Sequence, residues 1–256
     1  MSVCVIAEVG VNHGGKFSEA LHLIDAAKAA GADAVKFQLF DSRKLWGDDR
    51  IRHLELTRAQ MLDLRAYALS TGLEFLCTPF GVEEALFLKP LVKRMKIASG
   101  CIRKHELLRE IRDTDLPVIL STGMSRLQEI DDAIEELDGS DITLLHCTSS
   151  YPCAIEDVNL KVMGRLRERF GLDVGYSDHT QGITVAIAAT ALGATVIEKH
   201  LTLDRTAEGP DHKASIEPEE FRVMVSAIRT VETALGDGVK RVMDSEIELR
   251  KAWRDT

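Results

Sequence analysis

The stretch Val174–Ser215 reads VGYSDHTQGITVAIAATALGATVIEKHLTLDRTAEGPDHKAS, and it indicates the architecture of the whole chain. Two short β-branched runs, Asp173–Tyr176 and Thr195–Ile197, flank an alanine-rich segment with helical character, Thr184–Leu192. Gly193 follows that segment at the position of a helix C-cap. This order predicts one strand–helix–strand unit with parallel strands.

On either side of this unit, short apolar runs alternate with amphipathic segments. The other predicted strands are Val3–Ala7, Ala34–Phe37, Leu73–Cys77, Met95–Ala98, Val118–Ser121 and Ile142–Leu145. The other predicted helices are Ser18–Ala30, Arg58–Ser70, Val82–Leu88, His105–Arg112, Leu127–Leu137, Leu160–Phe170 and, as the last helix, Pro218–Leu235. Eight strands, each followed by a helix, predict one (β/α)8 TIM barrel over residues 1–256, since such barrels usually have about 250 residues. The alternative is an open doubly wound sheet, whose glycine-rich first turn Gly10–Gly15 resembles only weakly.

Polar residues stand at the C-terminal ends of these apolar strands. In strand order they are Glu8; Lys36 and Gln38; Thr78; Lys96 and Ser99; Ser121 and Thr122; His146, Thr148 and Ser149; Ser177 and His179; Glu198 and His200. Because parallel strands of a barrel end on one face, these side chains are predicted to line one pocket.

Two histidines, His179 and His200, are candidate metal ligands at the ends of strands seven and eight. Neutral imidazole binds Mn, Zn or Fe, and two such ligands leave positions open for substrate. We expect their ring nitrogens to be close enough for one ion to bridge, about 4 Å at most given ligand bonds of ~2.0–2.2 Å. The alternative is that His179 caps a turn and His200 is a hydrogen-bonded core residue.

Two lysines, Lys36 and Lys96, suit an anionic ligand that carries a phosphate and a carboxylate. Gly100 and Gly123 stand nearby and expose backbone amides that would add to such a site. Taken singly, either lysine is also compatible with a surface position. Glu8 has two interpretations. It is either a buried salt-bridge partner of one lysine, or a residue that acts as an acid–base catalyst or orients the substrate.

Composition argues against several function classes. The net charge of −9 argues against a nucleic-acid partner. No apolar run approaches the roughly 18–20 residues that cross a bilayer, so no membrane association is expected. Val3–Ala7 is preceded by no basic segment or cleavage site, and the 5 cysteines are scattered without a C-x-x-C motif. These features predict reduced thiols and a cytoplasmic location.

Several sequence runs, in a fixed order along the chain, match a known family. They are IAEVGVNHGG, AVKFQLF, CTPF, KIASG, ILSTGM, LLHCTSSYP, VGYSDHT, EKHLT and GPDHKAS. From Val3 to about Val239 the chain resembles the sialic acid synthase (NeuB-type) family of phosphoenolpyruvate-condensing enzymes. The resemblance implies a TIM-barrel transferase that adds phosphoenolpyruvate to an open-chain N-acyl amino sugar such as N-acetylmannosamine and releases phosphate.

The resemblance also implies roles for individual residues. It places a divalent ion, Mn²⁺ or Mg²⁺, on His179 and His200. Phosphoenolpyruvate would contact Lys36, Thr78, Lys96, Ser99, Ser121 and Ser177. The sugar would contact Glu8, Gln38, Tyr151 and Asp211, with Ser149 also at the substrate site. In the implied mechanism the ion polarises the aldehyde, C3 of phosphoenolpyruvate attacks it, a nearby carboxylate stabilises the charge at C2, and added water leads to loss of phosphate.

Three departures from the family pattern affect the sugar site. Cys101 stands where sialic acid synthases commonly have a glutamate, so one sugar contact is expected to be lost or replaced. Ser149 stands where some members have asparagine. The chain reaches Thr256 without the antifreeze-like domain that usually contributes an arginine to a partner's sugar site. We therefore expect the cap to come from the barrel's own loops or from another chain.

Two loops are candidates for that cap. The insertion Asp41–Thr57 is long and polar and contains Trp46, and loops of this length inside compact domains are often functional. The loop Arg205–His212 should lie on the same face. We predict that both border the acceptor site and that the protein forms a homo-oligomer, a dimer, with its barrel mouths close to a partner subunit. The alternative is that Asp41–Thr57 is only a solvated connection with Trp46 packed against a helix.

Other functions remain compatible with the sequence. The acceptor is a different sugar or small aldehyde in one alternative, and in another the barrel is a non-catalytic partner of a full-length synthase. The joint presence of Lys36, Lys96, His179 and His200 argues against the non-catalytic alternative. A metal-dependent hydrolase barrel would usually need more metal ligands than these.

Overall fold

Eight parallel strands form one sheet in this computed structural model, which describes residues 2–47 and 49–254 without the side chain of Trp46. The strands are β1 Cys4–Gly10, β2 Ala34–Leu39, β3 Glu74–Pro79, β4 Met95–Ile97, β5 Val118–Ser121, β6 Ile142–His146, β7 Asp173–Asp178 and β8 Val196–His200. Their order is β3-β2-β1-β8-β7-β6-β5-β4, and the two end strands, β3 and β4, also pack against each other. The sheet therefore curves into a nearly closed barrel, which confirms the predicted fold and excludes the open doubly wound sheet.

Helices cover the outside of this barrel. They are α1 Phe17–Ala29, α2 Ser42–Trp46, α3 Arg58–Ser70, α4 Val82–Leu88, α5 His105–Arg112, α6 Leu127–Glu136, α7 Lys161–Phe170, α8 Thr184–Ala191, α9 Pro218–Leu235 and α10 Ile247–Arg254. Local chemistry sets several helix ends: Thr57 and Gln60 form a reciprocal capping box before α3, and Pro218 occupies the first turn of α9. Among the described residues, no helix is long and apolar enough to cross a bilayer.

Two helices, α2 and α10, lie outside the predicted repeat, and Pro218–Leu235 is confirmed as the last helix of the barrel. The helix α2 has only 5 residues, too few to show a helical period. The helix α10 is exposed along its whole length, so it lacks the buried apolar face that makes a helix visible in a sequence. The strand β8 is also longer than the predicted Thr195–Ile197. Its polar residues Glu198, Lys199 and His200 continue the ladder of β8 and are buried by the fold.

Side chains alternate between the inside of the barrel and the helix layer, because successive strand residues point to opposite faces. The inner apolar cluster contains Ile6, Ala34, Leu76, Ile119, Leu145 and Val196. Two residues further along five of these strands stand the polar residues Glu8, Lys36, Thr78, Ser121 and Glu198. The barrel interior therefore changes from apolar to polar towards the C-terminal ends of the strands.

The insertion after β2 is held by contacts at both ends. Asp41 caps α2 by accepting hydrogen bonds from two backbone N–H groups of its first turn. Lys44 of the insertion pairs with Glu83 of α4 at 2.8 Å. A Cβ atom on Gly15 would lie 1.8 Å from the carbonyl oxygen of His53, so glycine is required where the insertion packs on the loop after β1.

Candidate active site

A cavity of about 570 Å³ opens at the C-terminal ends of the strands. Every residue predicted for the catalytic, substrate and metal sites lines it, namely Glu8, Lys36, Gln38, Thr78, Lys96, Ser99, Ser121, Ser149, Tyr151, Ser177, His179, His200 and Asp211. The structure thus gathers these residues at the face where barrel enzymes bind their ligands.

Lys36 is a buried cation between two carboxylates. Its Nζ lies 2.8 Å from Glu8 Oε2 and 3.6 Å from Glu198 Oε2, and it donates a hydrogen bond to Thr78 Oγ1 at 3.1 Å. The ladder between β1 and β2 aligns Glu8 with Lys36, so this ion pair follows from strand register. With 3% of its surface exposed, Lys36 is not a surface lysine, and the salt-bridge interpretation of Glu8 is confirmed.

Lys96 enters the same region from β4 and is equally buried. Its Nζ donates to Ser121 Oγ at 2.6 Å and lies 3.9 Å from Glu198 Oε1. Burial opposes the charge on Lys36, but Glu198 and Glu8 outweigh it, so the pKa of Lys36 is raised. Burial lowers the pKa of Lys96, and Glu198 offsets only part of that effect.

Glu198 lies between the two lysines at the cavity. The sequence marks it only as a polar residue at a strand end and does not predict these contacts. Ser177 Oγ donates to its Oε1 at 3.3 Å. Burial raises the pKa of Glu198, but the positive charges of Lys36 and Lys96 outweigh burial and hold the pKa well below its usual range. Glu198 is therefore an ionised carboxylate at the floor of the cavity.

Glu8 has the opposite electrostatic environment. Burial raises its pKa, Lys36 only partly offsets this, and the charge of Glu198 adds to the increase. The Gln38 side chain donates a hydrogen bond to Glu8 Oε1 at 2.9 Å. Of the two carboxyl groups next to Lys36, Glu8 therefore has a raised pKa and Glu198 a lowered one. In sites of this kind one carboxyl group holds a proton while the other stays charged.

His179 and His200 lie side by side, with ring centroids 5.6 Å apart. His179 Nδ1 contacts the carbonyl oxygen of Thr148 at 2.7 Å, so Nε2, which lies 3.5 Å from Ser177 Oγ, is the nitrogen that carries the lone pair. Tyr151 packs on His179 with centroids 4.1 Å apart and meets His200 edge-on. Burial lowers the pKa of both imidazoles, that of His179 to about 4 with a further contribution from His200, so both are neutral near pH 7.

These residues fit a divalent ion that takes two protein ligands. His200 Nδ1 is buried without a hydrogen-bond partner among the described residues and lies 3.7 Å from Asp211 Oδ2. A Cβ atom on Gly10 would lie 2.7 Å from that oxygen and 3.2 Å from the His200 ring, so glycine keeps this corner open. Within residues 2–47 and 49–254, no group of three or more His, Cys, Asp or Glu side chains is arranged to hold a metal ion. A divalent ion at this position would therefore take two neutral imidazoles from the protein, with further positions left for substrate.

Some strand-end residues point away from the cavity. His146 contacts the carbonyl oxygen of Val158 at 2.7 Å and packs on Tyr176 outside the strands. Thr122 donates to the carbonyl oxygen of Leu145, and Thr148 donates to that of Asp157. These three predictions of pocket-lining side chains are wrong, because each side chain is held by a backbone carbonyl outside the cavity.

Two cysteines, Cys147 and Cys101, differ from the expected pattern of cavity residues. Cys147, rather than His146, lines the cavity, and its Sγ lies 3.2 Å from Ser99 Oγ. Leu145 faces the barrel interior, so strand alternation alone would have assigned Cys147 to the same side. Cys101, which replaces a glutamate common in the resembling family, is 1% exposed and packs in the hydrophobic core.

Both candidate capping loops lie at the cavity. The insertion contributes Leu45, Arg50, Ile51 and Leu54 to its lining, and the loop after β8 contributes Pro210 and Asp211. The insertion therefore is not merely a solvated connection. The part of this prediction that concerns the side chain of Trp46 lies outside the described residues.

Comparison with known proteins identifies the family. A family model described as the NeuB family matches residues 23–240. The chain belongs to the NeuB family. Over 268 residues it is 43% identical to N,N'-diacetyllegionaminic acid synthase of Campylobacter jejuni, covering 94% of this chain and 80% of that protein. It is 35% identical to human N-acetylneuraminate-9-phosphate synthase, covering 95% of this chain and 74% of that protein.

A solved structure supports the same assignment. The N-acetylneuraminic acid synthetase of Leptospira borgpetersenii, solved in complex with citrate, superposes with a TM-score of 0.92 at 37% identity. The alignment covers 100% of this chain and 94% of that one. These NeuB-family relatives are named as synthases. The protein is accordingly an enzyme of the sialic-acid-synthase type, and the non-catalytic alternative is not supported.

Proposed function

We propose that this NeuB-family protein condenses phosphoenolpyruvate with the aldehyde of an open-chain N-acyl amino sugar. The products are a sialic-acid-type 2-keto-3-deoxy acid and inorganic phosphate. The observation that carries the proposal is one cavity in which two buried lysines flank Glu198 and two neutral histidines lie beside them. The relatives' names, which refer to legionaminic and neuraminic acids, support the same reaction class.

Phosphoenolpyruvate would occupy the floor of the cavity. Lys36 and Lys96, which are almost fully buried, would offset the charges of its phosphate and carboxylate. Hydroxyl groups would complete its hydrogen bonds. These come from Thr78, Ser99, Ser121 and Ser177, all of which line the cavity.

Glu198 would act on the reacting carbon. When C3 of phosphoenolpyruvate bonds to the aldehyde carbon, positive charge develops at C2, and an ionised carboxylate between the lysines would stabilise it. Water then adds at C2 and loses a proton. The bond between C2 and the phosphate oxygen breaks with the electron pair going to phosphate. The C2 hydroxyl group gives its proton to the departing phosphate, which leaves a ketone at C2.

Glu8 and Gln38 would contact the acceptor sugar. Glu8 has the raised pKa of a carboxyl group that can hold and release a proton near neutral pH, so it is our candidate for proton transfer at the acceptor. Tyr151 and Asp211, which line the cavity beside the two histidines, would contact the hydroxyl groups of the sugar.

A divalent ion, Mn²⁺ or Mg²⁺, held by His179 and His200 would supply Lewis-acid polarisation of the acceptor carbonyl. The protein's own contribution there is orientation. The carbonyl of Thr148 fixes the His179 ring, and Tyr151 packs against it, so the free nitrogen is held in one direction.

Phosphate release from phosphoenolpyruvate tests the proposal. We expect release that requires both an N-acyl amino sugar and a divalent ion, measured over a panel that also contains other aldoses and small aldehydes. A His179→Ala/His200→Ala double variant serves as the negative control. Phosphate release that is independent of any acceptor, or a reaction only with non-amino aldehydes, would contradict it.

A further inference from the structure

A cysteine thiol contacts one of the hydroxyl groups that line the cavity. Cys147 directly follows β6, is 5% exposed and lines the cavity. Its Sγ lies 3.2 Å from Oγ of Ser99, which stands just beyond β4 and lines the same cavity. The reaction as proposed gives Ser99 a contact with phosphoenolpyruvate and gives the thiol no role.

The backbone of Gly123 closes the corner in which these two side chains meet. Its N–H group donates a hydrogen bond to Ser99 Oγ at 2.9 Å. A Cβ atom on Gly123 would lie 2.9 Å from Ser99 Oγ and 3.0 Å from Cys147 Sγ, so a larger residue would displace one or both groups. The segments that follow β4, β5 and β6 therefore hold the hydroxyl group and the thiol in contact.

The hydrogen atoms at this corner decide what Ser99 can offer to a ligand. A serine hydroxyl group has one hydrogen to donate and two lone pairs that accept. One lone pair of Ser99 Oγ takes the N–H of Gly123. The contact with Cys147 uses either the second lone pair, with the thiol as donor, or the hydroxyl hydrogen, with sulfur as acceptor. Only the first arrangement leaves the hydroxyl hydrogen of Ser99 for a ligand in the cavity.

The surroundings of the thiol favour that first arrangement. Burial raises the pKa of Cys147, and neighbouring donors and the charge of Lys96 offset only part of the increase, so the thiol keeps its hydrogen near pH 7. An anion beside Lys96 would add to this preference. A hydroxyl group donates more strongly to a charged oxygen than to a thiol sulfur, which is a weak acceptor.

We propose that Cys147 is a positioning residue for the anionic substrate. Its thiol donates to Ser99 Oγ and thereby directs the hydroxyl hydrogen of Ser99 towards a phosphate or carboxylate oxygen of phosphoenolpyruvate. This inference rests on the proposed function and adds a residue that acts through another side chain. A thiol that stays protonated is a poor nucleophile, so the role of Cys147 is that of a hydrogen-bond donor.

A double-mutant cycle tests the inference through phosphoenolpyruvate binding. Calorimetry compares the wild type, Cys147→Ala, Ser99→Ala and the double variant. We expect Cys147→Ala to weaken binding about two- to tenfold, the usual effect of one hydrogen bond, and Ser99→Ala to weaken it about ten- to a hundredfold. In the Ser99→Ala background, Cys147→Ala should have no further effect. Equal losses in both backgrounds, or no loss in Cys147→Ala, would overturn the inference.

Two further variants separate hydrogen bonding from packing. Cys153→Ala removes the same atoms at a thiol that is also 5% exposed but lies outside the cavity lining, and it should leave phosphoenolpyruvate affinity unchanged. Cys147→Ser keeps a donor beside Ser99 and should recover most of the affinity that Cys147→Ala loses. A comparable loss in Cys153→Ala, or no recovery in Cys147→Ser, would contradict the positioning role.

The S–H stretching band of Cys147 reports the hydrogen bond with the thiol itself in place. Infrared difference spectra of the phosphoenolpyruvate complex identify this band by its absence in Cys147→Ala. Because Ser99→Ala removes the acceptor, the band should move to higher frequency in that variant, and a band that stays in place would overturn the inference. These measurements follow binding alone. A protein that binds phosphoenolpyruvate but releases no phosphate with any acceptor would instead contradict the proposed function.

Discussion

At the scale of single residues, the central feature is an alternation of charge at the floor of the cavity. Lys36 and Lys96 are almost fully buried, and each lies within 4 Å of Glu198. The second carboxyl group beside Lys36, Glu8, has a raised pKa of about 7 and is only partly charged near neutral pH, so the two lysines and Glu198 leave excess positive charge. An anionic ligand such as phosphoenolpyruvate would offset that charge, which is the physical reason to assign it to this position.

The lysines should control phosphoenolpyruvate affinity. We expect Lys36→Ala and Lys96→Ala each to weaken phosphoenolpyruvate binding by roughly ten- to a hundredfold. Loss of a charge-assisted hydrogen bond in a desolvated site costs about 1.5–3 kcal/mol. Calorimetric titration checks this, with Lys93→Ala on the exposed surface as control. Unchanged affinity in both variants would remove the phosphate-pocket assignment.

Glu198 should show a different kinetic pattern. Because it repels an anionic substrate but stabilises positive charge in the transition state, Glu198→Gln should lower kcat by about 10²–10³-fold without weakening phosphoenolpyruvate binding. Steady-state kinetics and calorimetry separate the two quantities, and Glu135→Gln, at an exposed carboxylate of α6 outside the cavity lining, is the control. A variant that loses phosphoenolpyruvate affinity but keeps kcat would contradict this role.

Strand alternation explains which site residues could be predicted from the sequence. Glu8, Lys36 and Thr78 stand two residues beyond inner apolar positions, so their direction follows from the pattern. His146 follows the inward-facing Leu145, so strand alternation directs its side chain to the outer layer and the prediction that it lines the pocket is wrong. The contacts of Glu198 with both lysines depend on how the eight strands curve into a barrel. They therefore cannot be predicted from the spacing of residues along one strand.

At the scale of elements, a buried ion pair and its hydrogen bonds connect the C-terminal ends of β7 and β8 on the side away from the cavity. Asp178 and Lys199 point away from the cavity, are fully buried, and pair at 3.0 Å. Thr180 donates to Asp178 through its backbone N–H and its hydroxyl group, and its carbonyl oxygen accepts from Lys199. This network fixes the two strand ends from which His179 and His200 project.

Removing one partner of that pair should be costly. We expect Lys199→Met to lower the free energy of unfolding by about 3–5 kcal/mol, because it leaves the charge of Asp178 buried and uncompensated. The double variant Asp178→Asn/Lys199→Met should recover much of that loss. Urea denaturation of the wild type, both single variants and the double variant completes the cycle. A loss below about 1 kcal/mol in Lys199→Met would show that the pair is unimportant for stability.

The insertion shows where element prediction reached its limit. Its length and polarity predicted a functional loop, and its position at the cavity confirms that placement. Its helix α2 and its apolar contacts with Val11, Phe40 and Phe80 could not be predicted, because they form only after three separate strand ends come together. The helix α10 was missed for the opposite reason, since it buries no face that would leave a periodic pattern.

At the scale of the whole molecule, buried neutral histidines couple stability to pH. Burial lowers the pKa of His13 and of His179 from 6.5 to about 4, and it also lowers the pKa of His146, His200 and His212. The unfolded chain then binds more protons than the folded chain between these values, so stability falls as the pH drops through that window. Glu8 acts in the opposite sense, because its pKa is raised on folding.

Acidification from pH 7 to pH 4.5 should therefore destabilise the protein overall. A shift from 6.5 to about 4, at about 1.4 kcal/mol per pKa unit, gives at most about 3 kcal/mol for each of His13 and His179. Urea midpoints at pH 7, 5.5 and 4.5 measure the effect, and His179→Gln should reduce the slope. A midpoint that stays constant or rises on acidification would contradict this linkage.

Self-association remains a prediction at this scale. With the cavity bordered by the insertion and by the loop after β8, a second subunit placed near the two mouths would complete the closure. Sedimentation equilibrium or light scattering at micromolar protein concentrations should give a dimer. A monomer across the concentration range would contradict the shared-mouth arrangement while leaving the reaction itself unaffected.

The most direct test of the account is to follow both bonds of the proposed reaction at once. Phosphoenolpyruvate labelled with ¹⁸O in the oxygen that bridges C2 and phosphorus is incubated with the protein, Mn²⁺ and an N-acyl amino sugar, and the products are analysed by mass spectrometry. We predict one new carbon–carbon bond, seen as a 2-keto-3-deoxy acid, for each phosphate released, with the label in the phosphate. Phosphate that appears without the coupled acid, or label retained in the organic product, would contradict the assignment of this cavity to the condensation.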